Sequence, residues 1–358
     1  MTAPASPRMG SIDALRGLTV AAMLLVNNPG DWGHVYAPLL HADWHGFTPT
    51  DLIFPLFLFI AGVSMAFSLS PRAGEPALRP ALRSGLLQRA LRIAVAGALL
   101  HLLAWWLLDL LDLPAYRLWG VLQRIALCVA VVGLLAIQTR ARTQWAVLAG
   151  LLLAYTLILL GAGSLAPWVN PASRLDTALF APFLYKYDPL TGLGHDPEGL
   201  LSSLGALAST LLGLRAGAWL RAGQVGGLAV LATACLLLGG VAALWLPLNK
   251  QLWTPSFVLW TGGMSVAALL LAHLLVDRWG APALGRRFGV NAIAAYLGSS
   301  AMALLLIASG AWGWLYQAVS GLLPTAPALA SLLCALGFVA VWWGVVWVLD
   351  SRRIYLKI

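Results

Sequence analysis

The chain has 358 residues, of which 60% are hydrophobic and 10% charged, and its formal net charge is +9. Its mean hydropathy is +0.84, and apolar runs of about twenty residues recur along its whole length. This composition excludes an ordinary soluble domain, and the lack of short alternating segments excludes a transmembrane barrel. We therefore predict an all-α polytopic membrane protein, with residues 1–358 forming a single transmembrane domain.

The apolar runs predict ten membrane-spanning helices. The first nine residues are too short and too polar for a cleaved signal peptide, so the first run is expected to stay as a helix. The predicted spans are 13–29, 50–70, 86–109, 118–138, 144–164, 199–220, 225–246, 255–276, 286–308 and 328–349.

The basic residues predict the orientation of these spans. With the N-terminus in the cytoplasm, seventeen of the 22 Lys and Arg residues fall on the inner side, four fall outside, and Arg124 lies within the fourth span. Cytoplasmic loops carry such an excess of positive charge in membrane proteins. We therefore predict that both termini are cytoplasmic, and we interpret the net charge as a topology signal that requires no nucleic-acid partner.

The stretch 27–51, NNPGDWGHVYAPLLHADWHGFTPTD, is the most unusual outer segment. It contains three of the six histidines, three acids, three Trp or Tyr rings and no Lys or Arg. Ionisable residues are costly to keep at a membrane and often mark a functional site. We hypothesise that this loop carries the catalytic group, and that His41, rather than His34 or His45, is that group.

Two outer segments have the form of a helix start. In Thr48-Pro49-Thr50-Asp51, threonine can act as N-cap with proline in the first turn and an acid at the third position. Asp51 can therefore be a capping residue, or it can orient a histidine, and both interpretations stay open. Asp196-Pro197-Glu198-Gly199 repeats the form, and Asp196 is predicted to cap the sixth span.

A metal site is the first competitor for the histidines. His41 and His45 are four residues apart, a spacing that would place both on one face of a zinc-binding helix. Pro38 and Gly46 argue against a continuous helix there, so we expect no metal cofactor. The cysteines fall far apart inside apolar runs, where small core residues are expected; they are Cys128, Cys235 and Cys334.

Four further polar residues lie in or beside predicted spans and need an explanation. Asn27 and Asn28 are adjacent at the end of the first span, and turn formation accounts for only one of them. Arg124 lies six residues inside its predicted span and needs a buried partner. Lys250 is either a snorkelling anchor or part of the inner lining of the bundle.

Several motifs together resemble those of the heparan-α-glucosaminide N-acetyltransferase family, the lysosomal transmembrane acetyltransferases and their bacterial relatives. The motifs are Ser11-Ile12-Asp13-Ala14-Leu15-Arg16-Gly17-Leu18, Val26-Asn27-Asn28-Pro29-Gly30, His41-Ala42-Asp43-Trp44-His45-Gly46, Thr50-Asp51-Leu52-Ile53-Phe54-Pro55, Gly120-Val121-Leu122-Gln123-Arg124, Asp196-Pro197-Glu198-Gly199, Asn249-Lys250-Gln251-Leu252-Trp253 and Gly289-Val290-Asn291-Ala292. The resemblance extends over the ten-helix body, and we expect this chain to lack the N-terminal luminal domain and leading membrane helix of the animal enzymes. An acceptor related to chitin or the cell wall is therefore expected rather than heparan sulfate.

The resemblance implies transfer of an acetyl group from cytosolic acetyl-CoA to an amino sugar on the far side of a bacterial inner membrane. It implies His41 as acetyl acceptor or general base, Asn27 as a second catalytic residue, and Asp51 beside them. The residues that we expect to bind the acceptor are Asp43, Trp44, His45, Asp196, Glu198, Asn249 and Lys250. Those that we expect to meet acetyl-CoA are Arg124, Arg83, Arg286, Arg287 and Asn291, although the inner arginines can equally serve only to set the topology.

A proton-coupled sugar or peptide transporter that uses His41 and Asp51 is the alternative function. Against it, the sequence contains no inverted repeat of hydropathy and no matched pair of broken helices. Asn27 would also have no clear task in a transporter. Membrane lipid is an expected partner, and the sequence leaves the oligomeric state open, a homodimer included.

Overall fold

The structure, a computed structural model, describes residues 9–356. Helices form most of this range and the strands only one short hairpin, which confirms the predicted all-α class. They are α1 (Gly10–Asn27), α2 (Ile53–Ser68), α3 (Arg79–Leu107), α4 (Val121–Gln138), α5 (Ala141–Leu160), α6 (Pro171–Phe180), α7 (Ser203–Arg221), α8 (Val225–Ala242), α9 (Pro255–Ala272), α10 (Arg286–Val290), α11 (Ala292–Ala308), α12 (Ala311–Leu322) and α13 (Pro327–Ser351). Strands β1 (Lys186–Asp188) and β2 (Leu193–His195) form one antiparallel hairpin.

Eight helical segments of the described range are long and apolar enough to cross a membrane, and the pair α11–α12, bent by 80°, would make a ninth. Helix is present at all ten predicted spans, but α7 is not among the eight. The count of ten and the orientation therefore stay predictions. The two predicted cytoplasmic termini lie outside the described residues.

Helix α7 packs against α2 at very short range. This contact explains why α7 is less apolar than the eight spanning segments. A Cβ atom placed on Gly62 of α2 would lie 1.9 Å from the Thr210 carbonyl oxygen, and one on Gly213 of α7 would lie 2.0 Å from that of Phe59. Two helix backbones approach this closely only where a residue has no side chain. The small residues of α7 therefore serve contact with other helices rather than with lipid.

Some helix boundaries differ from the predicted ones. Helix α3 begins at Arg79 rather than at residue 86, because Pro80 is compatible with the first turn and the polar residues after it continue the helix. The predicted span 286–308 is divided into α10 and α11 at Asn291. The predicted span that starts at residue 199 begins at Ser203 instead.

The longest predicted outer connection, 165–198, is ordered. Asn170 caps α6 by accepting a hydrogen bond of 2.8 Å from the Ser173 amide. The hairpin follows α6, and the Thr177 hydroxyl of α6 binds Gly194 of β2 through both its backbone groups, at 2.9 Å and 3.1 Å. This segment can therefore present side chains from fixed positions.

The alternation of the long helices produces two ends of the bundle. The His41 end contains the connections that follow α1, α3, α5, α8 and α11, and the arginine end contains those that follow α2, α4, α7 and α9, together with residues 352–356. The buried core between them is built mainly by α2, α4, α7 and α9, as the fully buried Leu58, Cys128, Leu211 and Val266 illustrate. All three cysteines are free and buried, as predicted for small core residues.

Candidate active site

The loop between α1 and α2 is irregular apart from two short 3-10 turns, at Ala37–Leu39 and Pro49–Leu52. Gly46 adopts a φ of +124°, which favours glycine and interrupts any helical path. His41 and His45 therefore do not share a helix face, and the spacing that suggested a zinc helix has no structural counterpart.

Contacts with two other connections fix this loop in place. The Trp44 indole donates a hydrogen bond of 3.0 Å to the Leu165 carbonyl, just after α5. The Gly46 amide donates one of 2.8 Å to the Leu248 carbonyl, between α8 and α9. Segments distant in sequence thus converge at the His41 end.

His41 is held by a buried carboxylate. Its Nδ1 lies 2.8 Å from Asp51 Oδ1, and the Asp51 side chain is fully buried whereas that of His41 is 44% exposed. Because a carboxylate accepts, Nδ1 carries the hydrogen of the neutral ring and Nε2 carries the lone pair. The geometry therefore presents the reactive nitrogen of an imidazole with a fixed tautomer.

The second oxygen of Asp51 caps the start of the following helix. Asp51 Oδ2 accepts hydrogen bonds from the Thr48 amide at 2.9 Å and the Ala42 amide at 3.1 Å. The Asp51 amide in turn donates to the Thr48 carbonyl at 3.0 Å. The two interpretations of Asp51 are thus not alternatives, since one oxygen caps the helix and the other binds His41.

Lys250 lies against the His41 ring. Its Nζ atom is 3.0 Å from Nδ1 and 2.9 Å from Nε2 of His41. The preceding Asn249 is fully buried and shapes the turn, since its Oδ1 accepts from the Leu252 amide at 2.7 Å. Asn249 Nδ2 also lies 3.3 Å from His45 Nδ1. Partial desolvation lowers the pKa of His45, which favours its neutral form.

A chain of hydrogen bonds runs from Ser173 through His195 and Gln251 to the loop between α1 and α2. The Ser173 hydroxyl lies 2.9 Å from His195 Nδ1, and His195 Nε2 lies 2.9 Å from Gln251 Oε1. The Gln251 amide nitrogen then donates to the Asp43 carbonyl at 2.9 Å. The Trp44 ring meets His195 edge-on, with ring centroids 5.4 Å apart. Because burial lowers the pKa of His195, the neutral ring can donate to Gln251 and accept from Ser173.

Sequence reasoning did not single out His195 or Gln251. His195 immediately precedes the Asp196 motif, and Gln251 lies within the Asn249-Lys250-Gln251 motif, although the sequence assigned neither a role. Those positions were a usable signal, but nothing in the sequence links the two residues to each other. Their contact depends on how the connections after α6 and α8 fold together.

Arg117 forms ion pairs with Asp196 and Glu198, two acids that were predicted to bind the acceptor. Its guanidinium binds Asp196 through two hydrogen bonds, of 2.9 Å and 2.6 Å, and Glu198 through one of 2.6 Å. It also lies 4.8 Å from the Tyr185 ring centroid. Burial disfavours the charged guanidinium, but the charges of Glu198 and Asp196 outweigh it and raise the pKa of Arg117. Arg117 is one of the four basic residues predicted to lie on the outer side, and its sequence position alone indicates no further role.

The prediction that Asp196 caps the sixth span is wrong. Asp196 accepts a hydrogen bond of 2.9 Å from the Glu198 amide, closing a local turn, and its carboxylate also binds Arg117 and the Tyr185 amide. The N-cap position of α7 belongs to Ser202. The acids of this motif instead pair with Arg117, which belongs to the connection after α3. The local sequence does not reveal that partner.

Arg124 is fully buried, and its partners are neutral groups rather than an acid. Its guanidinium donates to the carbonyls of Glu198 at 3.2 Å and Gly199 at 3.1 Å, and to the Ser202 hydroxyl. It also stacks 5.0 Å from the Trp253 ring centroid. The buried partner required by the sequence is therefore the backbone just before α7.

Asn27 and Asn28 have different environments. Asn28 Nδ2 donates to the Leu24 carbonyl at 2.8 Å, which closes the end of α1 as expected for one of the two. Both line a cavity of about 300 Å³ between α1, α3 and α11, where His101 and Tyr296 add further polar groups. The surrounding wall is largely aliphatic. Asn27 is exposed, so it presents its amide to the open side of this cavity.

The residues predicted to meet acetyl-CoA at the arginine end differ in accessibility. Arg286 and Arg287 lie 3.2 Å and 3.7 Å from the Asp350 carboxylate. Arg83 is exposed on α3. Asn291 is fully buried, and neither atom of its amide has a hydrogen-bond partner within residues 9–356. Buried amides are normally paired, so this amide is available to a ligand.

His34 stands apart from the His41 cluster. Its Nδ1 lies 2.6 Å from Asp31 Oδ2, and both side chains are exposed. The hydrogen bond from His34 is the main reason that the pKa of Asp31 is lowered. His34 therefore has a local partner of its own and serves as a control for His41.

A family model described as "Heparan-alpha-glucosaminide N-acetyltransferase, catalytic" matches residues 8–186, half of the chain. This chain belongs to that family. The resemblance detected from the motifs is thereby confirmed. The matched range contains Asn27, His41 and Asp51, whereas Lys250 lies beyond it.

Two curated relatives carry the same family name. The human heparan-alpha-glucosaminide N-acetyltransferase is 26% identical, over 82% of this chain and 52% of its own length. The mouse protein is also 26% identical, over 81% of this chain and 53% of its own. This chain therefore spans about half the length of the curated relatives it matches.

Proposed function

We propose that this chain is a transmembrane N-acetyltransferase that moves an acetyl group from acetyl-CoA to the amine of a glucosamine-type sugar. The observation that carries the proposal is the hydrogen bond of 2.8 Å between His41 and the buried Asp51. It leaves His41 Nε2 with a lone pair on an accessible ring. Membership of the family supplies the class of reaction, since the relatives are named as N-acetyltransferases.

His41 can act in either of two ways. Its Nε2 can accept the acetyl group, or it can remove a proton from the attacking amine. In both cases the ring becomes positively charged during the reaction, and the Asp51 carboxylate stabilises that charge. This requirement explains why an acid should be kept buried beside an accessible histidine.

The groups next to His41 suit an amino sugar. Asp43 and His45 are exposed and Trp44 is half-buried, all within a few residues of His41. A carboxylate can accept from sugar hydroxyl groups, and the apolar face of a sugar can pack on an indole ring. We propose that these three residues contact the acceptor directly.

The other predicted acceptor residues act through their neighbours. Asp196 and Glu198 hold Arg117, so that the connection before α7 keeps its shape. Asn249 builds the turn that presents Lys250. We propose that these residues preserve the form of the pocket, which is how supporting residues generally position a reactive group.

Acetyl-CoA is proposed to enter from the arginine end. Arginine suits its phosphates because the planar guanidinium donates two parallel hydrogen bonds. Arg83 is exposed and Asn291 has an unpartnered amide, whereas Arg286 and Arg287 are partly neutralised by Asp350. The acetyl group would then reach His41 past the cavity that Asn27 lines, and the buried Arg124 would support this route from α4.

The decisive experiment places the substrates on opposite sides of a membrane. On the predicted orientation the His41 end faces the periplasm of a bacterial inner membrane. We expect acetyl-CoA supplied at the arginine end to acetylate glucosamine supplied only at the His41 end of oriented vesicles. Labelled product and released coenzyme A are measured together, with protein-free vesicles as the control.

Each other outcome has a defined meaning. Uptake of labelled sugar without release of coenzyme A would establish the transporter alternative. Acetylation only when both substrates share one face would reject the proposed route through the bundle. Release of coenzyme A that is independent of every amino sugar tested would contradict the proposed acceptor class.

Asn27→Leu is expected to lower kcat by about a hundredfold with little change in KM, because a side-chain amide that donates to a developing oxyanion contributes mainly in the transition state. Initial rates with acetyl-CoA and glucosamine measure the effect. Asn28→Ala is the matched control, since it removes the contact with Leu24 and should lower the melting temperature rather than kcat. A wild-type kcat in Asn27→Leu would remove this residue from the mechanism.

A further inference from the structure

Lys250 lies beside the His41 nitrogen that acts in the proposed reaction. Its Nζ is 2.9 Å from His41 Nε2, the nitrogen that carries the lone pair. The position is defined rather than accidental, because the buried Asn249 fixes the turn through Leu252. Thr254 closes the same turn by accepting a hydrogen bond of 3.2 Å from the Asn249 amide.

The surroundings of Lys250 make its ammonium a better acid than that of an ordinary lysine. Burial is the largest influence and lowers the pKa of Lys250, and the positive charge of Arg124 acts in the same direction. Glu198 and Asp51 oppose this lowering. The nearest titratable group is the His41 ring itself, 2.9 Å away. Lysines with a lowered pKa exchange protons readily and are used in acid–base catalysis.

Acetyl transfer from a thioester to an amine needs two proton movements. The departing thiolate must gain a proton, and the attacking amine must lose one. The sulfur atom and the amine nitrogen each bond to the acetyl carbon that His41 Nε2 attacks, so both pass close to Nε2. Asp51 already holds the hydrogen on His41 Nδ1, and this proton stays in place during the cycle.

We propose that Lys250 is a catalytic residue that carries a proton from the acceptor amine to the coenzyme A sulfur. This inference rests on the acetyltransferase activity proposed above. It assigns to Lys250 a chemical task instead of simple binding of the acceptor. A fixed ammonium would repel a protonated amino sugar, whereas it tolerates the neutral amine that reacts.

With an acetyl-histidine intermediate, Lys250 serves both proton transfers. His41 Nε2 attacks the thioester carbonyl carbon, the C–S bond breaks, and the thiolate takes a proton from the Lys250 ammonium. The acceptor amine then attacks the acetyl carbon, the bond from that carbon to Nε2 breaks, and neutral Lys250 takes the proton that the amine loses. Coenzyme A thiol and the N-acetyl sugar leave, and both residues regain their starting protonation states.

The test compares Lys250→Met and Lys250→Arg with wild type in the full chain. Methionine keeps a stem of similar length without the charge, and arginine keeps the charge but does not give up a proton at working pH. Both variants are expected to lower kcat for acetyl-CoA by about a hundredfold while KM changes by less than about threefold, as loss of a general acid–base group predicts. Lys186→Met is the matched control, because Lys186 is an exposed lysine of β1 at the same end, and it should retain wild-type kcat.

A second donor tests the sulfur half of the proposal. An acetyl thioester of an electron-poor aryl thiol releases a stable thiolate that needs no proton, so Lys250→Met should lose less activity with it than with acetyl-CoA. Full activity of Lys250→Arg would overturn the proposal, because charge alone would then suffice. A raised KM with unchanged kcat, or equal losses with the two donors, would also overturn it.

Failure of this inference is distinct from failure of the proposed function. Wild-type protein that transfers no acetyl group rejects the proposed function itself. Wild-type protein that is active, beside Lys250 variants that match it, rejects only the role of Lys250. Thermal melting of each variant identifies any loss that comes from unfolding.

Discussion

Replacing His41 with alanine is expected to abolish acetyl transfer while the protein stays folded. The substitution removes the Nε2 lone pair, and no other imidazole within the described residues is held by Asp51. Loss of a nucleophile or general base of this kind costs at least about a thousandfold in kcat. The His41 side chain is 44% exposed, so the melting temperature should change little. Initial rates with acetyl-CoA and glucosamine, together with thermal melting, measure both effects.

His34→Ala provides the control for this result. His34 lies in the same loop and is also paired with an acid, but that acid is Asp31 rather than Asp51. Its replacement should leave kcat within about twofold of wild type, as expected for an exposed side chain away from the reaction. Substantial turnover in His41→Ala would contradict the proposed role, whatever His34→Ala does.

Asp51→Asn is expected to lower kcat by about a thousandfold to ten-thousandfold, the size of effect seen when an asparagine replaces the acid that orients a catalytic histidine. The amide oxygen can accept from the Thr48 and Ala42 amides, but the amide NH₂ group then faces His41 Nδ1. That contact favours the tautomer with its hydrogen on Nε2, which removes the reactive lone pair. The kcat of the variant, normalised to folded protein, measures the loss.

Thr48→Ala separates the capping role of Asp51 from its role at His41. The change removes the Thr48 hydroxyl, which donates to the Leu40 carbonyl at 2.7 Å and lies 3.1 Å from Asp51 Oδ2. It should destabilise the protein by about 1 kcal/mol, as loss of a capping side chain does, and it should leave kcat nearly unchanged. If Asp51→Asn behaves in the same way, with a lower melting temperature but normal turnover, then Asp51 only caps the helix.

The sequence by itself determined the class of the protein and indicated one loop as the candidate site. Long apolar runs determine helices because a chain in lipid must satisfy its backbone polar groups within each segment. The histidines and acids of the loop 27–51 indicated a candidate functional site, because ionisable groups are costly to keep beside a membrane. Proline and glycine in that loop also indicated correctly that His41 and His45 share no helix, because their effect on the backbone is local.

Only the tertiary structure decided which side chains meet. Lys250 and His41 are more than two hundred positions apart in the chain, yet their nitrogens lie 2.9 Å apart. Arg117 pairs with Asp196 rather than leaving it to cap α7, and the Asp51 carboxylate serves the helix start and His41 at once. Such contacts arise where separate connections fold onto one another at the end of a bundle. They depend on the packing of the helices beneath them, as where Gly62 and Gly213 let α2 and α7 approach, and local sequence encodes neither the partner nor the distance.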